Sequence, residues 1–157
     1  MNFSDHETII QNLNQISNTR WHDIVKLRSE SFVSEQKCIY TDPDDIDTNA
    51  THVSITDQDS FIGYARLFQS NNWHIGRVIV SDKYRGHGFG NIIMKSCLDH
   101  ILSVDPGAKI ELSSQLYLSN FYKNLSFKIE GPLYLEDGIP HLKMVYSPLV
   151  KTTVNNN

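Results

Sequence analysis

Apolar and polar positions along the chain alternate between a helical and an extended rhythm. From Thr19 to Gln36, the residues Trp21, Ile24, Val25, Leu27, Phe32 and Val33 recur at the spacing of one helix face. With Thr19 as N-cap, this pattern predicts a helix that fades near residues 35–36. A strand is expected near residues 52–56. Residues 61–68 and 73–80 are both of strand length, and the polar Gln69-Ser70-Asn71-Asn72 between them signals a hairpin. The second segment ends in Val78-Ile79-Val80, a β-branched run suited to the interior of a sheet. A second amphipathic helix is expected from Asn91 to about Leu102, stopped by Asp105-Pro106-Gly107. Then come a short strand at 109–113, a short helix at 117–125, and a closing hairpin of residues 127–134 and 139–146 around Glu136-Asp137-Gly138. Residues 1–18 fit an edge strand and a short helix equally well. This order predicts an α+β fold with a mixed sheet, not a doubly wound parallel one.

Composition narrows the class. A chain of 157 residues is one domain's worth. With 39% hydrophobic and 20% charged residues it is neither disordered nor membrane-spanning. Residues 1–7 lack the basic and apolar regions of a secretory signal. Two cysteines, Cys38 and Cys97, point to free thiols and a reducing, cytoplasmic setting rather than a disulfide scaffold. A net charge of −4 argues against general nucleic-acid binding but leaves room for a local phosphate site. Residues 35–59 hold seven acids against the single base Lys37. The run reads as a solvated face or, more sharply, as an attractor of a cationic substrate. Arg28, Arg66 and Arg77 fit structural ion pairs, with pocket lining as the alternative. The histidines show no metal-ligand spacing.

The chemistry concentrates where the second hairpin strand meets the second helix. Gly86, Gly88 and Gly90 let the backbone curl with its N–H groups inward. The helix that follows adds its unpaired N–H groups and the positive end of its dipole. Together they form an anion cradle that needs no lysine, and Arg85 can add a charge-assisted bond. No Lys-Ser/Thr pair follows, as a P-loop requires, and the glycines do not run G-x-G-x-x-G.

The unit instead reads Arg85-x-x-Gly88-x-Gly90. It occurs together with Leu27-Arg28, Phe32-Val33-x-Glu35-Gln36-x-Cys38-x-Tyr40 and Gly63-Tyr64-Ala65-Arg66. Further on come Ile75-Gly76-Arg77-Val78, Gln115-x6-Tyr122 and Tyr134-x-Glu136-Asp137-Gly138-Ile139-Pro140-His141. Over residues 19–146 this set resembles the GNAT superfamily of N-acetyltransferases, most closely its ElaA-like branch. The resemblance implies a single GNAT-type α+β domain of α/β/α layers. Its mixed, mostly antiparallel sheet would splay beside a coenzyme A (CoA) groove, with residues 1–18 in the same domain and 147–157 a flexible tail. It implies an acyl-CoA-dependent N-acyltransferase that moves acetyl from acetyl-CoA to an amine of a small molecule or peptide by direct attack. It implies no metal, and neither nucleic acid nor membrane as partner; the oligomeric state stays open, a homodimer included. An acyl-CoA-binding sensor or scaffold without turnover is the alternative.

Residue by residue, the resemblance has Val78, Ile79 and Val80 pair with pantetheine, and the Val80 amide stabilise the oxyanion. Arg85, Gly86, His87, Gly88, Phe89, Gly90 and Asn91 would hold the diphosphate. Gln115 and Tyr122 would contact CoA, and Tyr122 would protonate the departing thiolate. Two positions depart from the family pattern. Ser126 replaces a usual glycine, and Gln115 stands where many members carry asparagine. Some relatives place a catalytic glutamate where this chain has Ile110. The general base is therefore open among Glu35, His141, the neighbouring Glu111 and ordered water.

Overall fold

The structure is a computed structural model that describes residues 5–58 and 60–148. Most of the expected 147–157 tail lies outside the described residues. The N-terminal segment resolves as a strand, β1 (His6–Asn12), closed by a single 3-10 turn. Helix α1 (Asn18–Arg28) follows. Its N-cap is Ser17, whose hydroxyl accepts from the Arg20 amide at 3.2 Å, rather than the expected Thr19. The helical path runs on to Glu35, but over Ser29–Glu35 it widens to π-type geometry.

Strands β2 (Thr51–Asp57), β3 (Ser60–Gln69) and β4 (Trp73–Val80) form an antiparallel meander. Helix α2 (Phe89–Val104) leads to β5 (Ile110–Gln115), and a 3-10 turn leads to α3 (Ser119–Asn124). The expected strand over 127–134 is two short pieces, β6 (Lys128–Ile129) and β7 (Tyr134–Glu136). The break falls at Gly131, with φ +90°, next to Pro132, where the chain turns out of the sheet. Both pieces pair with β8 (Ile139–Tyr146) at different points along it.

The sheet runs β1-β2-β3-β4-β5-β8-β6, and only β4 and β5 are parallel. Phe89, Ile93, Met94, Cys97 and Ile101 of α2 pack on one face against Val53, Ile55, Leu67 and Ile110. Ile24 and Leu27 of α1 pack on the other against Tyr64 and Ile79. Burying each such side chain contributes about 1.5–3 kcal/mol, which fixes both helices to the sheet.

Two irregularities position the site. Ile75 faces the α2 layer and Ile79 the α1 layer, although residues an even number apart on a strand share a face. The extra residue lies between them. Arg66 pairs with Gly76 and Tyr64 with Ile79, so Arg77 and Val78 together oppose Ala65, and Arg77 takes φ +52°. The second irregularity is that β4 and β5 pair only at Trp73–Ile110 and His74–Glu111. Beyond His74 the strands diverge and one edge of β4 is left open.

Candidate active site

The divergence of β4 from β5 makes two cavities that meet. The larger, about 820 Å³, is a groove along the open end of β4 and the glycine turn. It is bordered by residues 78–80, 85–86 and 88–91 and by Tyr122, all expected to contact CoA. His87 and Gln115 do not border it. The smaller cavity, about 490 Å³, lies between β4, β5, β8 and the segment after the π-type turn. Gln115 and His141 open here, and Glu35 does not. Four residues border both cavities: Gln36, Val78, Leu118 and Tyr122.

The groove has the form of an anion cradle at its glycine end. Gly86 and Gly88 have φ of +78° and +85°, and Gly88 is the N-cap of α2. The helix therefore begins at the groove, where the positive end of its dipole favours an anion. The Arg85 guanidinium is already engaged. It donates to the Val80 carbonyl at 3.0 Å, to Asp82 at 3.1 Å and to Glu35 at 3.0 Å. Glu35 is thus a partner of the cradle arginine at the groove.

Tyr122 is carried by α3, with its ring against Phe121 and Phe127. A purely structural buried tyrosine usually ties its hydroxyl to a partner. The Tyr122 hydroxyl makes no hydrogen bond among the described residues, although the residue is only 6% exposed. Burial pushes the phenol well above its ordinary value, so it keeps its proton at neutral pH. Ser126, in the glycine position, adopts φ +69° and lets the Phe127 amide return to the Tyr122 carbonyl at 3.1 Å. The helix exit is kept, at a conformational cost of about 1–2 kcal/mol.

Three candidate bases sit in different settings. His141 Nδ1 faces the Ile139 carbonyl at 2.7 Å, so it carries the proton and leaves Nε2 as the acceptor nitrogen. Burial works to raise the Glu111 pKa, but bonds from Lys143 at 3.1 Å and Asn72 at 2.8 Å hold it below the usual range. Glu35 is held by Arg85.

The acidic run divides: Asp45 stays exposed, but three other acids are tied up in ion pairs. Asp42, Asp44 and Asp47 turn inward and join Arg28, Arg66 and Arg77 in a closed ring of alternating charge. Arg28 grips Asp42 and, at 2.7 Å, Asp47. Arg66 holds Asp47 at 2.9 Å and Asp44 at 2.5 Å. Arg77 completes the ring to Asp42 at 3.2 Å and Asp44 at 3.4 Å. Burial raises the pKa of Asp47, yet the bonds from Arg28 and Arg66 outweigh it and the carboxyl ends below its usual value. The ring ties the Arg77 bulge to α1 and to the 45–48 turn. Arg28, Arg66 and Arg77 thus take the structural ion-pair role expected of them, while the linear sequence does not show which acids they meet. Gln36 is a further site residue that sequence reasoning does not reveal: it accepts from Gln115 Nε2 at 3.0 Å, across 79 positions of sequence.

The chain belongs to the GNAT acetyltransferase family, whose domain model matches residues 23–148. Its relatives include the protein ElaA of Escherichia coli, 34% identical over 136 residues that cover 83% of this chain and 89% of that one. The E. coli ElaA crystal structure superposes with a TM-score of 0.84 at 32% identity, covering 89% of this chain and 98% of that chain. An acyl-CoA N-acyltransferase from Pseudomonas aeruginosa superposes with a TM-score of 0.86 at 28% identity, over 91% of this chain and all of that one. Among the described residues no helix is long and apolar enough to cross a membrane, and no group of three or more His, Cys, Asp or Glu could hold a metal ion.

Proposed function

We propose that the protein is an N-acetyltransferase that uses acetyl-CoA as co-substrate and lets an acceptor amine attack the thioester directly. The observation that carries this reading is the Tyr122 hydroxyl, protonated and without a hydrogen-bond partner among the described residues, where the two cavities meet. The glycine turn and the start of α2 suit the diphosphate. The open edge of β4 over residues 78–80 suits pantetheine, which would run along it like an added strand.

Val80 borders only the groove, whereas Val78 borders both cavities beside the Arg77 bulge. The oxyanion role expected of the Val80 amide therefore passes to the Val78 amide, a donor of a kind worth about 3–4 kcal/mol of barrier. The acceptor enters the smaller cavity. His141 Nε2 is the acceptor nitrogen available to take the amine proton there, and Tyr122 gives its proton to the leaving thiolate. The name of the P. aeruginosa relative, an acyl-CoA N-acyltransferase, supports the same chemistry.

Tyr122→Phe tests the proposal. The variant should lose about a hundredfold or more in kcat, with its CoA dissociation constant nearly unchanged. Thiol release followed with acetyl-CoA, alongside calorimetry with CoA, reads both quantities. An unaltered kcat would remove Tyr122 from the chemistry, and absence of thiol release from the wild type would favour a sensor.

A further inference from the structure

Resting on the acyl-transfer reading, the charges around the smaller cavity narrow the class of acceptor. Arg66, Arg77, Lys143, Glu111, Glu136 and Asp137 border it, three of each sign. Partners outside the cavity decide which of these an incoming molecule meets. Arg66 and Arg77 belong to the ring, which is neutral as a whole, three guanidiniums against three carboxylates. Lys143 and Glu111 form a second neutral set with Lys109 and Glu130, in which Lys143 lies 3.1 Å from each carboxylate. Glu136 and Asp137 are left over. Glu136 accepts from the Ser113 hydroxyl at 2.7 Å, and neither residue has an ion-pair partner among the described residues.

Two further observations direct this charge into the cavity. The tight turn from β7 to β8, with φ of +50° at Asp137 and +75° at Gly138, fixes both carboxylates at the rim. Their field also reaches another wall: burial raises the Cys38 thiol, Asp137 adds to that rise, Arg77 opposes it, and Glu136 adds a further, smaller part. Cys38 itself borders the cavity.

The amine that attacks must be neutral, so its charge is absent when the carbon–nitrogen bond forms. The rim carboxylates are then matched only by a second positive charge on the same molecule. Neither of them is among the four residues at the junction with the groove. We infer that the acceptor is an aliphatic diamine: one amine reacts at the junction while the other, as ammonium, lies against Glu136 and Asp137. The free amine nitrogen bonds to the thioester carbonyl carbon and the carbon–sulfur bond breaks. One amine proton passes to His141, the thiolate takes a proton from Tyr122, and the products are the monoacetylated diamine and CoA.

The test is a matched series with purified protein and acetyl-CoA: 1,4-diaminobutane, n-butylamine and 4-aminobutyrate, read as thiol release. The expected order of kcat/KM is diamine, monoamine, amino acid, with about tenfold or more between the first two and a narrowing gap as salt is added. In the Glu136→Gln/Asp137→Asn double variant the diamine-to-monoamine ratio should fall towards one, with CoA affinity by calorimetry unchanged. Asn tolerates the left-handed φ at 137, so the turn survives the change. If butylamine or 4-aminobutyrate matches the diamine, the inference fails and acyl transfer stands. If the double variant keeps the preference, the turn is not its source and the inference fails. If no amine releases thiol although CoA binds, acyl transfer fails as well.

Discussion

At the scale of single residues, the site depends on backbone conformations that side chains rarely adopt. Gly88, with φ +85°, starts α2 at the groove, and a Cβ there would meet nothing within 4 Å. The cost of Gly88→Ala is therefore conformational rather than steric, about 1–2 kcal/mol. The variant should unfold a few degrees lower and bind CoA more weakly, as calorimetry and thermal melts would register. The alternate glycines stand out in the sequence because their purpose is local: a curled backbone leading into a helix. Arg77 and Ser126 also take positive φ, at +52° and +69°, but nothing in their residue type announces it. Those conformations are imposed by the strand that Arg77 must bulge from and the helix that Ser126 must close.

Elements follow their own logic. Hydrophobic periodicity locates α1, α2 and the β3–β4 hairpin, because burial on one face is written into the spacing of apolar residues. It does not reveal the π-type turn at Ser29–Glu35 or the bulge in β4, where one extra residue re-aims the chain. Nor does it divide residues 127–134, since apolar spacing does not say where two short strands share one partner. Close approach between elements offers a test. A Cβ on Gly63 would lie 2.6 Å from Ile93 Cδ1 and 2.8 Å from the Ile79 carbonyl oxygen. The isoleucine tip can move, but the β4 backbone cannot without shifting the bulge. Gly63→Ala should destabilise by about 1–3 kcal/mol in urea unfolding, and it should raise the CoA dissociation constant through the displaced strand.

For the molecule as a whole, the buried ring of three arginines and three aspartates couples α1, the 45–48 turn, β3 and β4. Removing one member leaves charges without partners. Arg28→Met strips a partner from both Asp42 and Asp47 and should cost about 3–5 kcal/mol. Acid should act in the same direction. Burial holds the His52 imidazole below its ordinary 6.5, and its ring nitrogens are met by the Tyr64 hydroxyl at 2.6 Å and the Asp47 carbonyl at 3.0 Å. The unfolded chain therefore gains this proton first, and stability is lost as pH falls below about 6.5. The depressed Asp47 carboxyl contributes fully above its unfolded 3.8 and is lost as acidity passes its lower folded value. Urea midpoints should thus fall in two steps, below about pH 6.5 through His52 and again below about pH 3.8 through Asp47, and absence of the second step would count against this role of the ring.

By itself the sequence determined the family, the order of most elements, the glycine cradle and the tyrosine, because each is set by neighbours a few positions away. Only the tertiary structure decided which charges survive to meet a ligand. It consumed Asp42, Asp44 and Asp47 inside the ring and left Glu136 and Asp137 at the rim. Coulombic partnership depends on distances in space, and chain separations of 14 to 35 residues between ring partners carry no trace of them.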